Sequence, residues 1–146
     1  MQAVTYVSAC NFYLNLATNY WRRNHGIIYM EIRPVLDHAQ IHPTIRKRVA
    51  QYHSEIVTQV IDAVANNQAV VIGMSLNPAV KKARQLLEGQ GLKVTYLEFG
   101  GYGSMWHERL AIKMWSGWPT YPQVFVNGML VGGASDVKSL IANNAL

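Results

Sequence analysis

The residues best placed to hold a ligand lie in one stretch, WPTYPQVFVNGMLVGGASD, from Trp118 to Asp136. Pro122 cannot donate a ladder hydrogen bond. It therefore belongs at the first residue of a strand, where a cis bond after Tyr121 is tolerated and the preceding backbone is left as a free edge. Gly132-Gly133 lets the chain turn closely, and Ser135 reads as the cap of a final helix, Asp136 to about Asn143, whose first amides can hold a carboxylate. A free backbone edge beside an anion-holding helix start suits an extended ligand that carries an acid. The same residues also serve a turn and a capped helix needed only for folding, and the sequence leaves both readings open.

The elements that must position these groups follow from periodicity. Val124-Phe125-Val126 and Met129-Leu130-Val131 read as the two strands of a hairpin, with Asn127-Gly128 in the tight turn that needs positive φ at both central positions. Upstream, Ile45, Val49, Tyr52, Ile56, Val60 and Val64 recur at three- and four-residue steps after Pro43, which predicts one long amphipathic helix to about Ala65. Ala69 to Met74 is an unbroken apolar run of strand length, as expected for a central strand covered on both faces. Asn77-Pro78 opens a second helix to Gly89, Val94-Thr95-Tyr96-Leu97 is the next strand, and a third helix runs from about Ser104 to Trp115. A strand, helix, strand unit implies a right-handed crossover and two parallel central strands, to which the hairpin adds antiparallel neighbours. The expected fold is α/β: a central mixed four-stranded sheet flanked by helices over residues 43–146. Residues 1–42 form an N-terminal extension, read as a helix from Cys10 to about Asn24 and a strand from Ile27 to Ile32. That extension offers either an edge strand or a homodimer surface.

Half of the 146 residues are hydrophobic and 14% are charged, so the chain can bury a real core. There is no apolar run of transmembrane length and no basic-then-apolar leader, and the single cysteine, Cys10, fits a reducing, cytoplasmic setting. The net charge of +5 comes in small groups, Arg22-Arg23, Arg46-Lys47-Arg48 and Lys81-Lys82 with Arg84, without the interleaved aromatics of a nucleic-acid groove. An anionic small molecule or an acidic partner is the better use of that charge, with neither nucleic acid nor membrane expected.

The WPTYPQ segment followed by Gly-Gly-x-x-Asp resembles the glutaredoxins, especially their monothiol-like branch. The resemblance implies a thioredoxin-like fold and a glutathione groove. By it, Thr120, Tyr121 and Pro122 present main-chain groups to the cysteinyl part of glutathione, while Gly133, Ser135 and Asp136 hold the γ-glutamyl end. It also implies a nucleophilic cysteine just after the first central strand, at the start of the next helix. Aligning KKARQLL with the family puts Asn77-Pro78-Ala79-Val80 on that motif, with Asn77 at the nucleophile position and Met74 where a lysine helps bind the glycine carboxylate. Lys81 and Arg84 are the basic residues that would partly replace that lysine.

An amide cannot form a mixed disulfide or act as a thiolate ligand to iron, so neither the family's standard reaction nor an iron–sulfur cluster is expected on Asn77. What Asn77 offers is a helix cap ahead of Pro78. The resulting expectation is a protein of the thiol-redox class that acts as a glutathione- or partner-binding, regulatory module, with glutathione or the thiol of a protein partner in its groove. Two alternatives are a glutathione-dependent oxidoreductase using Cys10 as a displaced nucleophile, and a purely structural interaction domain. Cys10 is flanked by Ala9 and aromatic residues with no base nearby, which favours a buried, structural thiol. On a helix, Asp37, His38 and His42 would share a face, but Pro43 follows and no second acid is near, so no metal site is expected. Tyr102 and Trp106, beside the Gly100-Gly101-Tyr102-Gly103 loop, read as covers for a groove or as filling beneath it.

Overall fold

The computed structural model describes residues 34–146. The expected first helix and strand, and Cys10 itself, lie outside the described residues. Ile41–Leu146 form one compact unit. Before it, Pro34 to Gln40 hold one 3-10 turn, His38–Gln40.

The single long helix expected from Pro43 is two helices, α1 (Pro43–Ala50) and α2 (Ser54–Asn66). The chain breaks at His53, which takes a left-handed φ of 46°. Tertiary contacts outweigh the continuous apolar period here. The Tyr52 hydroxyl lies 2.8 Å from His107 Nδ1, and the His53 and His107 rings stack at 6.0 Å. His42 caps α1 through Nδ1, which accepts the Thr44 amide at 3.3 Å. Asp37, His38 and His42 therefore do not share one helix, and among the described residues no group of three or more His, Cys, Asp or Glu side chains is placed to hold a metal ion.

The remaining elements follow the expected order: β1 (Ala69–Gly73), α3 (Pro78–Gly89), β2 (Val94–Glu98), α4 (Trp106–Ser116), β3 (Gln123–Val126), β4 (Met129–Gly132) and α5 (Ala134–Ala142). The sheet runs in the order β2-β1-β3-β4. β1 pairs parallel with β2, Val71 opposite Tyr96, and antiparallel with β3, Val71 opposite Val124. Asn127 (φ 50°) and Gly128 (φ 81°) form the hairpin turn.

Alternation along β1 divides the core into two layers, because successive side chains of a strand leave on opposite faces. Ala69 and Val71 pack with Val80, Ala83 and Leu87 of α3 and Val137 of α5. Val70 and Ile72 pack with Val60 of α2 and Ile112 of α4 on the other face. All five residues of β1 are buried, so the strand end that leads to Asn77 is fixed from both sides. Gly73 makes the close approach there: a Cβ at this position would collide with the Val80 side chain, so β1 lies flush against the first turn of α3. No helix among the described residues is long and apolar enough to cross a membrane.

Candidate functional site

Three backbone features build the site. The first is the start of α3. Asn77 Oδ1 accepts the Ala79 amide at 2.9 Å and Pro78 occupies the first helical position, so the amide side chain caps the helix as its type predicts. The Asn77 Nδ2 hydrogens find no acceptor among the described residues. Just before it, Leu76 takes a left-handed φ of 58° and is 97% exposed.

The second feature is the segment before β3. The Tyr121-Pro122 bond is cis. Pro122 is buried, and the main-chain amide of Tyr121 has no partner among the described residues. The Tyr121 hydroxyl donates to the Arg109 carbonyl at 2.8 Å, which ties this segment to α4. Burial raises the Tyr121 pKa above the usual tyrosine value, and the nearby Arg109 guanidinium opposes that only in part. The Arg109 side chain is itself buried, with Nη1 donating to the carbonyls of Phe99, at 2.7 Å, and of Ser104. Lys113, one turn further along α4, puts Nζ 5.5 Å from the centre of the Tyr121 ring.

The third feature is the start of α5, and here the structure corrects the sequence reading. The cap is Gly133 rather than Ser135, and the helix begins at Ala134. Asp136, three residues past the cap, makes the reciprocal half of a capping box: its Oδ2 accepts the Gly133 amide at 2.8 Å. Gly132 makes room for it, since at φ 97° a Cβ on this residue would lie 2.7 Å from that same oxygen. Glycine has no side chain with which to return the bond. The amides of Ala134 and Ser135 therefore have no partner among the described residues, at the positive end of the helix dipole. Gly133 lies against the Pro122 carbonyl, so the second and third features adjoin.

The first two features border two grooves that meet at Met74, at the end of β1, whereas Gly132 and Asp136 at the third line a separate cavity of about 690 Å³ with Trp118, Val131 and Leu140. One, of about 450 Å³, is lined by Met74, Tyr102, Trp106, Arg109, Lys113 and Tyr121 among others. The other, of about 500 Å³, is lined by Met74, Leu76, Asn77, Lys81, Arg84 and Tyr96 among others. Lys81 and Arg84 thus lie on the α3 side, away from Tyr121. The cations beside the cis-proline segment are Arg109 and Lys113, which the sequence reading passed over. Their spacing of four on one helix was the available signal, masked by the apolar Leu110, Ile112 and Met114 between and beyond them. Tyr102 and Trp106 line the first groove, and Trp106 is held by its indole N–H donating to the Tyr102 carbonyl at 3.0 Å. Thr120 and Ser135 are exposed and line neither groove.

Comparison with known proteins agrees with this architecture. The glutaredoxin family model matches residues 78–131, beginning one residue past Asn77. A glutaredoxin-like protein of Dictyostelium discoideum is 50% identical over 93 residues, covering 63% of this chain and 76% of that protein. The chain belongs to the glutaredoxin family. Bovine glutaredoxin-3 is 36% identical over 91 residues, although that match spans only 27% of its length. Among solved structures, this glutaredoxin-like chain is similar to a mutated buckwheat glutaredoxin, with a TM-score of 0.59 at 20% identity over 66% of this chain and 87% of that one. Oxidized glutaredoxin 2 from Chlamydomonas reinhardtii gives 0.55 at 25% identity over 64% and 88%. The buckwheat glutaredoxin–glutathione complex gives 0.57 at 19% identity over 66% and 87%. These likenesses agree with the mixed four-stranded sheet and its flanking helices.

Proposed function

We propose that this chain is a glutathione-binding module of the thiol-redox class that does not run the family's usual cysteine chemistry at the start of α3. Asn77 occupies the position that the glutaredoxin motif gives to the nucleophilic cysteine, and its oxygen is committed to the Ala79 amide. A carboxamide has no thiolate form, so the residue can neither attack a disulfide nor bind iron through sulfur. The chain's only cysteine is Cys10. A module of this kind holds glutathione, or the thiol-bearing tail of a protein partner, as a reporter of the reducing cytoplasm rather than as a catalyst.

The observation that carries this reading is the Tyr121 amide on the cis-proline edge, which has no partner among the described residues. On one side of it stand Lys113 and Arg109, which suit the glycine carboxylate of glutathione. On the other stand the amides at the start of α5, without partners among the described residues, which suit the γ-glutamyl carboxylate, with Asp136 for the ammonium beside it. Met74 cannot supply the missing lysine's charge, and Lys113 takes over that role from α4.

Titration calorimetry with reduced glutathione at low salt tests the proposal. Saturable binding is expected, weakened about tenfold or more by Lys113→Gln, since one charge-assisted hydrogen bond contributes roughly 1.5 to 3 kcal/mol. No heat up to millimolar glutathione would overturn it.

A further inference from the structure

We infer that a groove between the end of α1 and the second half of α4 is a docking site for an acidic amphipathic helix of a protein partner. The groove, of about 320 Å³, is lined by Val49, Tyr52, Val57, Ala111, Met114 and Trp115 among others. Three of these are large apolar side chains left open to solvent, Val49 at 43%, Met114 at 57% and Trp115 at 39%. Ile45, one turn before Val49 on α1, and Leu110, one turn before Met114 on α4, are exposed as well, so an apolar ridge stands on each helix. Single exposed apolar residues are ordinary, but ridges gathered about one groove mark an interaction surface. The fold gains little from α1, which buries none of its residues.

The groove is built before anything enters it. The Trp115 ring stacks on the buried Phe125 ring at 5.7 Å, and the Tyr52 hydroxyl is held 2.8 Å from His107 Nδ1. Walls fixed in this way leave less side-chain freedom to lose on binding.

Charge and shape together choose the occupant. α1 carries Arg46, Lys47 and Arg48 and no acid, and none of the three has an ion-pair partner among the described residues. Arg46 Nε donates to the Ile41 carbonyl at 2.9 Å, while Lys47 and Arg48 are exposed. An acidic flank is the complement of this rim. A second copy of the chain would bring the same three cations against it. A concavity sized for a large side chain suits the anchor residue of a protein better than a flat lipid surface. Helices offer no free backbone edge, so recognition runs through side chains, and ridges spaced one turn apart fit the matching stripe of another helix. His107 and Leu110 also line the groove that holds Tyr121, so a partner docked here lies beside that groove whatever it binds.

The test is fluorescence anisotropy of a labelled synthetic peptide of about 15 residues, the length near which isolated helices become stable, with a leucine stripe at helical spacing and glutamate elsewhere. The peptide is expected to bind saturably. Val49→Ser with Met114→Ser should weaken it about tenfold or more, as should Lys47→Glu with Arg48→Glu. Lys93→Glu with Lys138→Glu removes the same net charge away from the groove and should leave affinity within about twofold. A peptide with lysine in place of glutamate should bind about tenfold more weakly or not at all. No binding of the acidic peptide at millimolar chain would overturn the inference, as would equal binding of the lysine peptide or equal weakening by the Lys93, Lys138 control. Two further results would reassign the face and so overturn it: a dimer in sedimentation that the Val49, Met114 variant disperses, or co-sedimentation with vesicles of equal phosphatidylcholine and phosphatidylserine that this variant abolishes.

Discussion

Asp136 Oδ2 accepts the Gly133 amide at 2.8 Å, so the carboxylate assigned to ligand recognition is already part of the fold. Losing a helix cap costs roughly 1 kcal/mol, which shifts the midpoint of a domain this size by about 4 to 8 °C. Asp136→Ala is expected to show that loss in thermal unfolding. Asp136→Asn, which keeps an acceptor oxygen, should recover most of it while still weakening glutathione. An Asp136→Ala midpoint equal to the parent's would show that the cap contributes nothing, and its loss of ligand could then be read directly.

Tyr121 gives a pH dependence whose sign is fixed by burial. Its neutral phenol is favoured in the folded chain, so its folded pKa lies above the usual value of 10.0. The stability it contributes is fully present below pH 10 and is lost as pH rises through the folded value, because the unfolded phenol releases its proton first. Tyr121→Phe removes this alkaline loss, and it also removes the 2.8 Å bond to the Arg109 carbonyl, worth about 1 kcal/mol. Urea unfolding at pH 8 should find Tyr121→Phe the less stable protein, with the gap narrowing by pH 11. Parallel curves for the two proteins would contradict the assignment.

Much of the scaffold was legible because its signals are local. The apolar run Ala69–Gly73 could only be a strand covered on both faces, and Asn127-Gly128 allows few turns other than the one it makes. What was not legible depends on partners far away in sequence. Nothing near His53 announces a helix break, since the contacts that stabilise it come from His107 on another helix. Ser135 looked like a cap by type, yet the bond to the Gly133 amide comes from Asp136, one turn into the helix. Nothing in the sequence singles out Arg109 and Lys113, and only the packing of α4 against the cis-proline segment places them beside Tyr121.

Gly73 joins the core to the site. A methyl group added here meets Val80 in the first turn of α3, and both residues are buried, so relief requires moving the helix start that carries Asn77. Gly73→Ala should cost about 1 to 3 kcal/mol, the usual range for overpacking. Chemical denaturation measures that cost. Val80→Ala in the same chain should restore part of it, and a double variant no more stable than Gly73→Ala would argue against the contact.

Asn77→Cys, made with Cys10→Ser, asks whether the start of α3 still provides the environment that activates a thiol. The position lies at the positive end of a helix, Pro78 already holds the first turn, and no acid lies in that turn to oppose a thiolate. A thiol at a helix N-terminus has its pKa lowered from about 8.5 toward roughly 7, which raises the thiolate fraction at neutral pH about tenfold. The variant should therefore alkylate about ten times faster at pH 7 than a free cysteine and, given glutathione disulfide, form a mixed disulfide with release of one glutathione, which mass spectrometry detects. It should also lose about 0.5 to 1 kcal/mol of stability, because the bond to the Ala79 amide at 2.9 Å goes with the asparagine oxygen. Fast alkylation with mixed-disulfide formation would mean that a single substitution separates this chain from thiol chemistry and that its groove is intact. An ordinary alkylation rate would count against the proposed correspondence between Asn77 and the family's nucleophile.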